Sequence, residues 1–151
     1  MRQIPAAPLI LGLAGLIPFV WGVLTVMLPD LQAWGSARLG PRFVGPYVQL
    51  FYGSVILSFM SGVLWGFAAK ARGRLQSAAC YGLSVIPALW AFLMTGGGPD
   101  RAAMHLIWGF AGLLLLDAGF SAWGLTPRWW MRLRVLLTAV AVLCLGAGLY
   151  L

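Results

Sequence analysis

The sequence predicts an all-α fold: a polytopic membrane protein whose five transmembrane helices form one bundle, N-in and C-out. Three observations predict it. Five long apolar runs fill the 151 residues, 62% of residues are hydrophobic while only 9% are charged, and short basic connectors separate the runs. A helix needs about 20 apolar residues to cross the hydrocarbon core. In lipid only helices and closed barrels satisfy every backbone polar group, and these runs are too long and continuous for barrel strands. Residues 1–151 therefore read as a single transmembrane helical domain. Any chemistry must sit within the bundle or at its two faces.

The first span, Ala7–Leu28, follows Met1-Arg2-Gln3 and looks like a signal peptide. It is longer than a cleaved apolar region and carries Pro18 at its centre, so it reads as an uncleaved helix. The connector Pro29–Pro46 is the longest and cannot bury a core of its own. The second span, Tyr47–Ala69, carries Ser54, Ser58, Gly62 and Gly66 at intervals of four, which forms one small-residue stripe. Such a stripe lets another backbone come close. A neighbouring span is the expected occupant, and a second copy in a homo-oligomer is the alternative.

The third span, Ala78–Met94, repeats a pattern of the first. Ile17-Pro18 precedes Trp21 as Ile86-Pro87 precedes Trp90. Each proline removes a backbone donor and kinks its helix. Two kinks near the midplane hint at duplicated hairpins, and in transporters they flank binding sites. Proline is frequent in membrane helices, so a purely shape-giving role is preferred. The fourth span, Ala102–Gly124, holds Asp117, the one acid within a span. The fifth is Arg132–Leu151.

Ten Lys and Arg stand against three acidic residues, all Asp. They lie at helix ends, so they orient the chain and touch lipid headgroups, and no nucleic-acid partner is expected. Arg2, Lys70, Arg72, Arg74, Arg128, Arg132 and Arg134 share one face; Arg38, Arg42 and Arg101 share the other. The excess sets the N-terminus in the cytoplasm. No Arg- and Ser-rich presequence is seen, which makes a bacterial inner membrane the simple assignment.

An intramembrane charge faces the bundle interior and has a partner. Asp117 is expected to pair with Arg132 or Arg134, which open the fifth span; a proton- or ion-handling role is the alternative. Met27, Met94, Met104 and His105 gather near the opposite face and combine ligands that suit Cu(I). Methionine in apolar helices is usually filler, and no metal is expected. Cys80 and Cys144 lie at different depths, against a disulfide. Trp34, Trp129 and Trp130 fall in connectors and read as interfacial anchors. Trp21, Trp34, Trp65, Trp108 and Trp123 are each followed by glycine, for which the sequence offers no reason. Phosphate-cradling loops, paired histidines, a Ser/His/Asp set and paired carboxylates are all lacking, so neither enzymatic activity nor a cofactor is expected.

Four segments together carry a resemblance: Leu11-Gly-Leu-Ala-Gly-Leu-Ile-Pro18-Phe19, Tyr52-Gly-Ser-Val-Ile-Leu-Ser58-Phe59-Met-Ser-Gly62-Val-Leu-Trp65-Gly66, Pro87-Ala-Leu-Trp90, and Pro127-Arg-Trp-Trp130-Met-Arg-Leu-Arg134. The chain resembles the bacterial family known as domain of unknown function 3429, relatives of mitochondrial transmembrane protein 69. The resemblance implies a small polytopic protein of an energy-conserving inner membrane. It marks Pro18, Ser58, Gly62, Trp65, Gly66, Pro87, Trp130 and Arg134, and carries over no catalytic residue. The expected function is an accessory or assembly factor that binds another membrane protein, such as one of a respiratory complex. A small transporter or channel with a midplane site at Pro18, Pro87 and Asp117 is the alternative. The topology is testable: reporters fused after Arg74 and Arg128 should read cytoplasmic, and those after Arg42 and the C-terminus periplasmic. A cytoplasmic C-terminal reporter would overturn the five-span reading.

Overall fold

The computed structural model describes residues 3–150. Arg2, counted above among the orienting charges, and Leu151, the predicted end of the fifth span, lie outside them. Among the described residues, five helical stretches are long and apolar enough to cross a membrane: Ala6–Met27, Tyr47–Ala68, Arg74–Met94, Pro99–Ala122 and Trp130–Tyr150. The protein is a multi-pass helical membrane protein. Its outer surface is a belt of exposed side chains such as Leu11, Phe92, Leu115 and Leu143, as lipid contact requires.

The first and third spans are each broken at proline. The first divides into α1 (Ala6–Ala14) and α2 (Ile17–Met27). A short helix, α3 (Pro29–Leu39), then fills most of the long connector, and a 3-10 turn at Pro41–Phe43 follows it. The second span is the unbroken α4 (Tyr47–Ala68). The third divides into α5 (Arg74–Ser84), four residues longer at its start than predicted, and α6 (Ile86–Met94). The unbroken α7 (Pro99–Ala122) and α8 (Trp130–Tyr150) complete the bundle. Pro18 and Pro87 both fall in the first turn of the second half-helix, where the missing N–H is no loss.

In α4 lies the centre of the bundle. It packs on α2, α5, α6 and α7, and α8 closes the ring between α7 and α2. Its polar side chains meet the backbone at both breaks. Gln49 Nε2 donates to Phe19 O at 2.9 Å and to Cys144 O of α8 at 3.2 Å. Ala88 N–H donates to Ser61 Oγ at 2.8 Å. The two breaks do not share a level, contrary to expectation: Gln49 and Ser61 are 12 residues apart, roughly 18 Å along α4. The local pattern common to both breaks does recur in its work. Trp21 Nε1 donates to Phe43 O at 2.7 Å, and Trp90 Nε1 donates to His105 O at 2.6 Å.

Close helix approach happens away from the predicted stripe. Ser58, Gly62 and Gly66 are exposed, and a Cβ on Gly62 or Gly66 would meet nothing within 4 Å. The neighbouring span expected there is absent, because the buried face of α4 is Gln49, Gly53, Leu57, Ser61, Leu64 and Ala68. A Cβ on Gly109 would lie 2.8 Å from Trp90 Cδ1 and 2.9 Å from Leu57 Cδ1. One on Gly22 or Gly148 would run into Gln49, and one on Gly35 would stand 2.8 Å from Val44. The Trp-Gly pairs thereby gain a physical account at Gly22, Gly35 and Gly109: the glycine admits a neighbour beside the large ring.

These contacts predict opposite outcomes at two glycines. Gly109→Leu should lower the melting temperature in mild detergent by roughly 2–12 °C, since overpacking costs about 1–3 kcal/mol. Gly62→Leu should leave it unchanged. Circular-dichroism melts check the pair, and equal effects would remove the distinction between the two faces.

Candidate functional site

The site grows from the turn between α7 and α8. Trp123 caps α7, and Gly124 follows with φ +73°. Leu125 N–H donates to Phe120 O, and Gly124 N–H to Ser121 O. This is the double closure that a glycine in the left-handed region allows after a helix, and it explains a fourth Trp-Gly pair. The chain reverses tightly, and Trp130 N–H returns to Pro127 O before α8 begins.

Trp130, Arg134 and Thr138 then stand one turn apart on one face of α8, and all three are buried. Asp117 faces them from the last turns of α7 and is 0% exposed. Arg134 Nε donates to Asp117 Oδ2 at 2.8 Å, and Trp130 Nε1 donates to Oδ1 at 2.9 Å. Phe67 of α4 sets its ring edge-on against Trp130, centroids 5.0 Å apart, and so fixes the indole. The expected pairing of Asp117 holds with Arg134. Arg132 lies two residues earlier, about 200° around the helix, and is exposed.

Two expectations are corrected here. Trp130 is no interfacial anchor: it is 9% exposed and bonded to Asp117. Arg134 belongs to the interior rather than to the orienting surface charge. Trp34 remains exposed in α3, and Trp129 is half-buried.

Beside the pair runs a groove of about 420 Å³ between α1, the break before α2, α4 and α8. Its walls are mostly apolar, with Phe19, Tyr52, Phe110 and Trp130 as aromatic panels and Arg134 and Thr138 as polar lining. Among the described residues, Arg134 Nη2 and Thr138 Oγ1 are buried without a hydrogen-bond partner. Gly15 and Leu16 at the first break join the wall. The structure thus brings the Pro18 break and the Asp117 cluster to one place. Buried Pro87 lies apart, where Ala88 meets Ser61.

The remaining candidates separate. Ser54 and Ser58 turn their hydroxyls back onto Leu50 O and Ser54 O, at 2.8 and 2.9 Å. Exposed Trp65 stacks edge-on against Tyr81, centroids 4.6 Å apart. His105 packs its ring against Trp90 at 5.9 Å, while Met27 and Met104 are exposed. Cys80 and Cys144 are free thiols. Gln49, Ser61 and Thr25 escaped the sequence reading. Thr25 Oγ1 accepts from Gly45 N–H at 2.7 Å and donates to Trp21 O at 2.9 Å. The signal that could have found them is general: a polar side chain inside an apolar span faces the bundle.

The family described as protein of unknown function (DUF3429) matches residues 4–150. Transmembrane protein 69 of Xenopus tropicalis is 34% identical over 158 aligned positions, which take in 99% of this chain and 56% of that protein. The chain therefore spans just over half the length of that relative. No solved structure matches.

The pair makes a quantitative prediction. Asp117→Asn leaves a guanidinium buried without its counter-charge and should lower unfolding stability in micelles by about 3–5 kcal/mol. Arg134→Gln should do the same. The double variant should lose about 1–3 kcal/mol less than the two losses added. Denaturant unfolding of all four proteins checks this, and strictly additive losses would mean that the two groups do not support one another.

Proposed function

The chain belongs to the family described as protein of unknown function (DUF3429), and from that premise we propose that it is a non-enzymatic accessory or assembly factor. It works in a bacterial inner membrane, N-in and C-out, and holds another membrane protein against its second span. The observation that carries this reading is the outward face of α4. Ser58, Gly62 and Gly66 form a surface on which a backbone can approach closely, and the protein's own spans leave it open. In lipid, small residues at such spacing are how helices associate, because apolar contact alone supplies no drive. Exposed Trp65, steadied by Tyr81, flanks the face with a rigid aromatic ring, a side chain suited to anchoring a partner.

Transport draws less support. Both carboxylate oxygens of Asp117 are engaged and the group is fully buried. The Pro18 and Pro87 breaks meet α4 at separate levels through Gln49 and Ser61. A carboxylate that binds and releases ions needs access, whereas this one is 0% exposed and fastens α7 to α8.

A photo-crosslinking residue at Gly62, introduced in cells, tests the proposal, with the same residue at lipid-facing Leu115 of α7 as comparison. Gly62 should give one discrete adduct with another membrane protein, and the Gly66→Leu background should erase it without changing the melting temperature. An adduct consisting of two copies of this chain would replace the accessory reading by a homo-oligomer. Equal labelling at Gly62 and Leu115 would overturn a docking face altogether.

A further inference from the structure

We propose that the groove beside Arg134 binds one amphiphilic molecule with an apolar body and an uncharged carbonyl acceptor at its head. The head would receive hydrogen bonds from Arg134 Nη2 and Thr138 Oγ1. Both side chains line the groove, are 4% and 5% exposed, and lack a partner for these atoms among the described residues. A guanidinium has donors only, and a hydroxyl can donate, so the complementary group is an acceptor.

The charge balance selects among acceptors. Asp117 stands 2.8 Å from Arg134 and offsets its charge. A phosphate or carboxylate in the groove would leave an uncompensated negative charge in an apolar cavity, which burial disfavours strongly. A neutral carbonyl takes the same hydrogen bonds without that penalty. The apolar body fits the remaining walls, which present Leu16, Phe19, Ile56 and Phe110. A volume of about 420 Å³ falls within the range of small-molecule sites, roughly 300–1,000 Å³. The way in is lateral: Leu11 and Phe59 on the rim are 72% and 64% exposed to the lipid-facing side, and α1 buries no residue of its own. Two membrane components carry this chemistry, the ester carbonyl of a glycerolipid and the ring carbonyl of an isoprenoid quinone.

Native mass spectrometry of the detergent-purified full chain tests the proposal, titrated separately with a short-tailed alkyl benzoquinone and with a dioleoyl phosphatidylethanolamine. One probe, or both, should saturate at one molecule per chain; which one does identifies the source of the carbonyl. Thr138→Val keeps the side-chain shape and the Asp117–Arg134 pair, and should weaken binding about fivefold, the effect of one neutral hydrogen bond. Ile56→Trp fills the groove and should weaken it at least tenfold, while Leu115→Trp, outside it, should change nothing. Melting curves confirm that each variant is folded. Should Ile56→Trp impair folding, Val63→Phe fills the same wall and is read in its place. The proposal is overturned if neither probe saturates at one per chain, or if a folded groove-filling variant binds as tightly as the wild type.

Discussion

Hydrocarbon offers no hydrogen-bond partner, and that constraint organises this bundle. Two of the five spans are broken, so each carries backbone groups that a continuous helix would have satisfied. The unbroken α4 reaches both broken spans and, at the second break, satisfies a first-turn donor of α6. Gln49 reaches the carbonyl of Phe19 after the first break and also holds Cys144 O of α8; Ser61 accepts Ala88 N–H after the second. The central position of α4 follows from this duty. It packs on α2, α5 and α6 of the two broken spans, and its buried face alternates these polar groups with Leu57 and Leu64, both 0% exposed.

Glycine makes the arrangement possible at specific points. Gly22 and Gly148 clear the volume that the Gln49 side chain occupies, and Gly109 lets Trp90 and Leu57 close on α7. The same residue type on the outer face of α4, at Gly62 and Gly66, meets no close neighbour among the described residues. Identical chemistry thus has two destinations, inward for folding and outward for association, and only the rotation of α4 about its axis separates them.

Asp117, Arg134 and Trp130 show how a charge is retained at depth. One charge-compensated hydrogen bond from Arg134 and one from the clamped Trp130 indole engage the two carboxylate oxygens. The arginine keeps one nitrogen over, and it lies along an apolar groove next to Thr138. Fastening two helices and presenting a donor to the groove are compatible roles for one guanidinium, because its five N–H groups point in fixed, different directions.

Five spans and their order, the breaks at Pro18 and Pro87 and the partnership of Asp117 with an arginine opening the last span were legible in the sequence. Each follows from a local property: length of an apolar run, the missing N–H of proline, the expense of a lone charge in lipid. The resemblance to the family was legible too, in segments that the structure spreads over α1, α2, α4, α6 and α8. What the sequence could not decide was direction. In a span that is apolar all round, hydrophobic periodicity cannot say which face points inward, so the stripe at Ser58, Gly62 and Gly66 was placed inside when it lies outside. Trp130 was taken for an anchor because its place in the chain suits one, whereas the reversal at Gly124 turns it onto Asp117. The helix α3, the levels of the two breaks and the groove beside Arg134 depend on contacts between residues far apart in the chain. Only the assembled bundle, in which each polar group finds its partner across a helix interface, selects them.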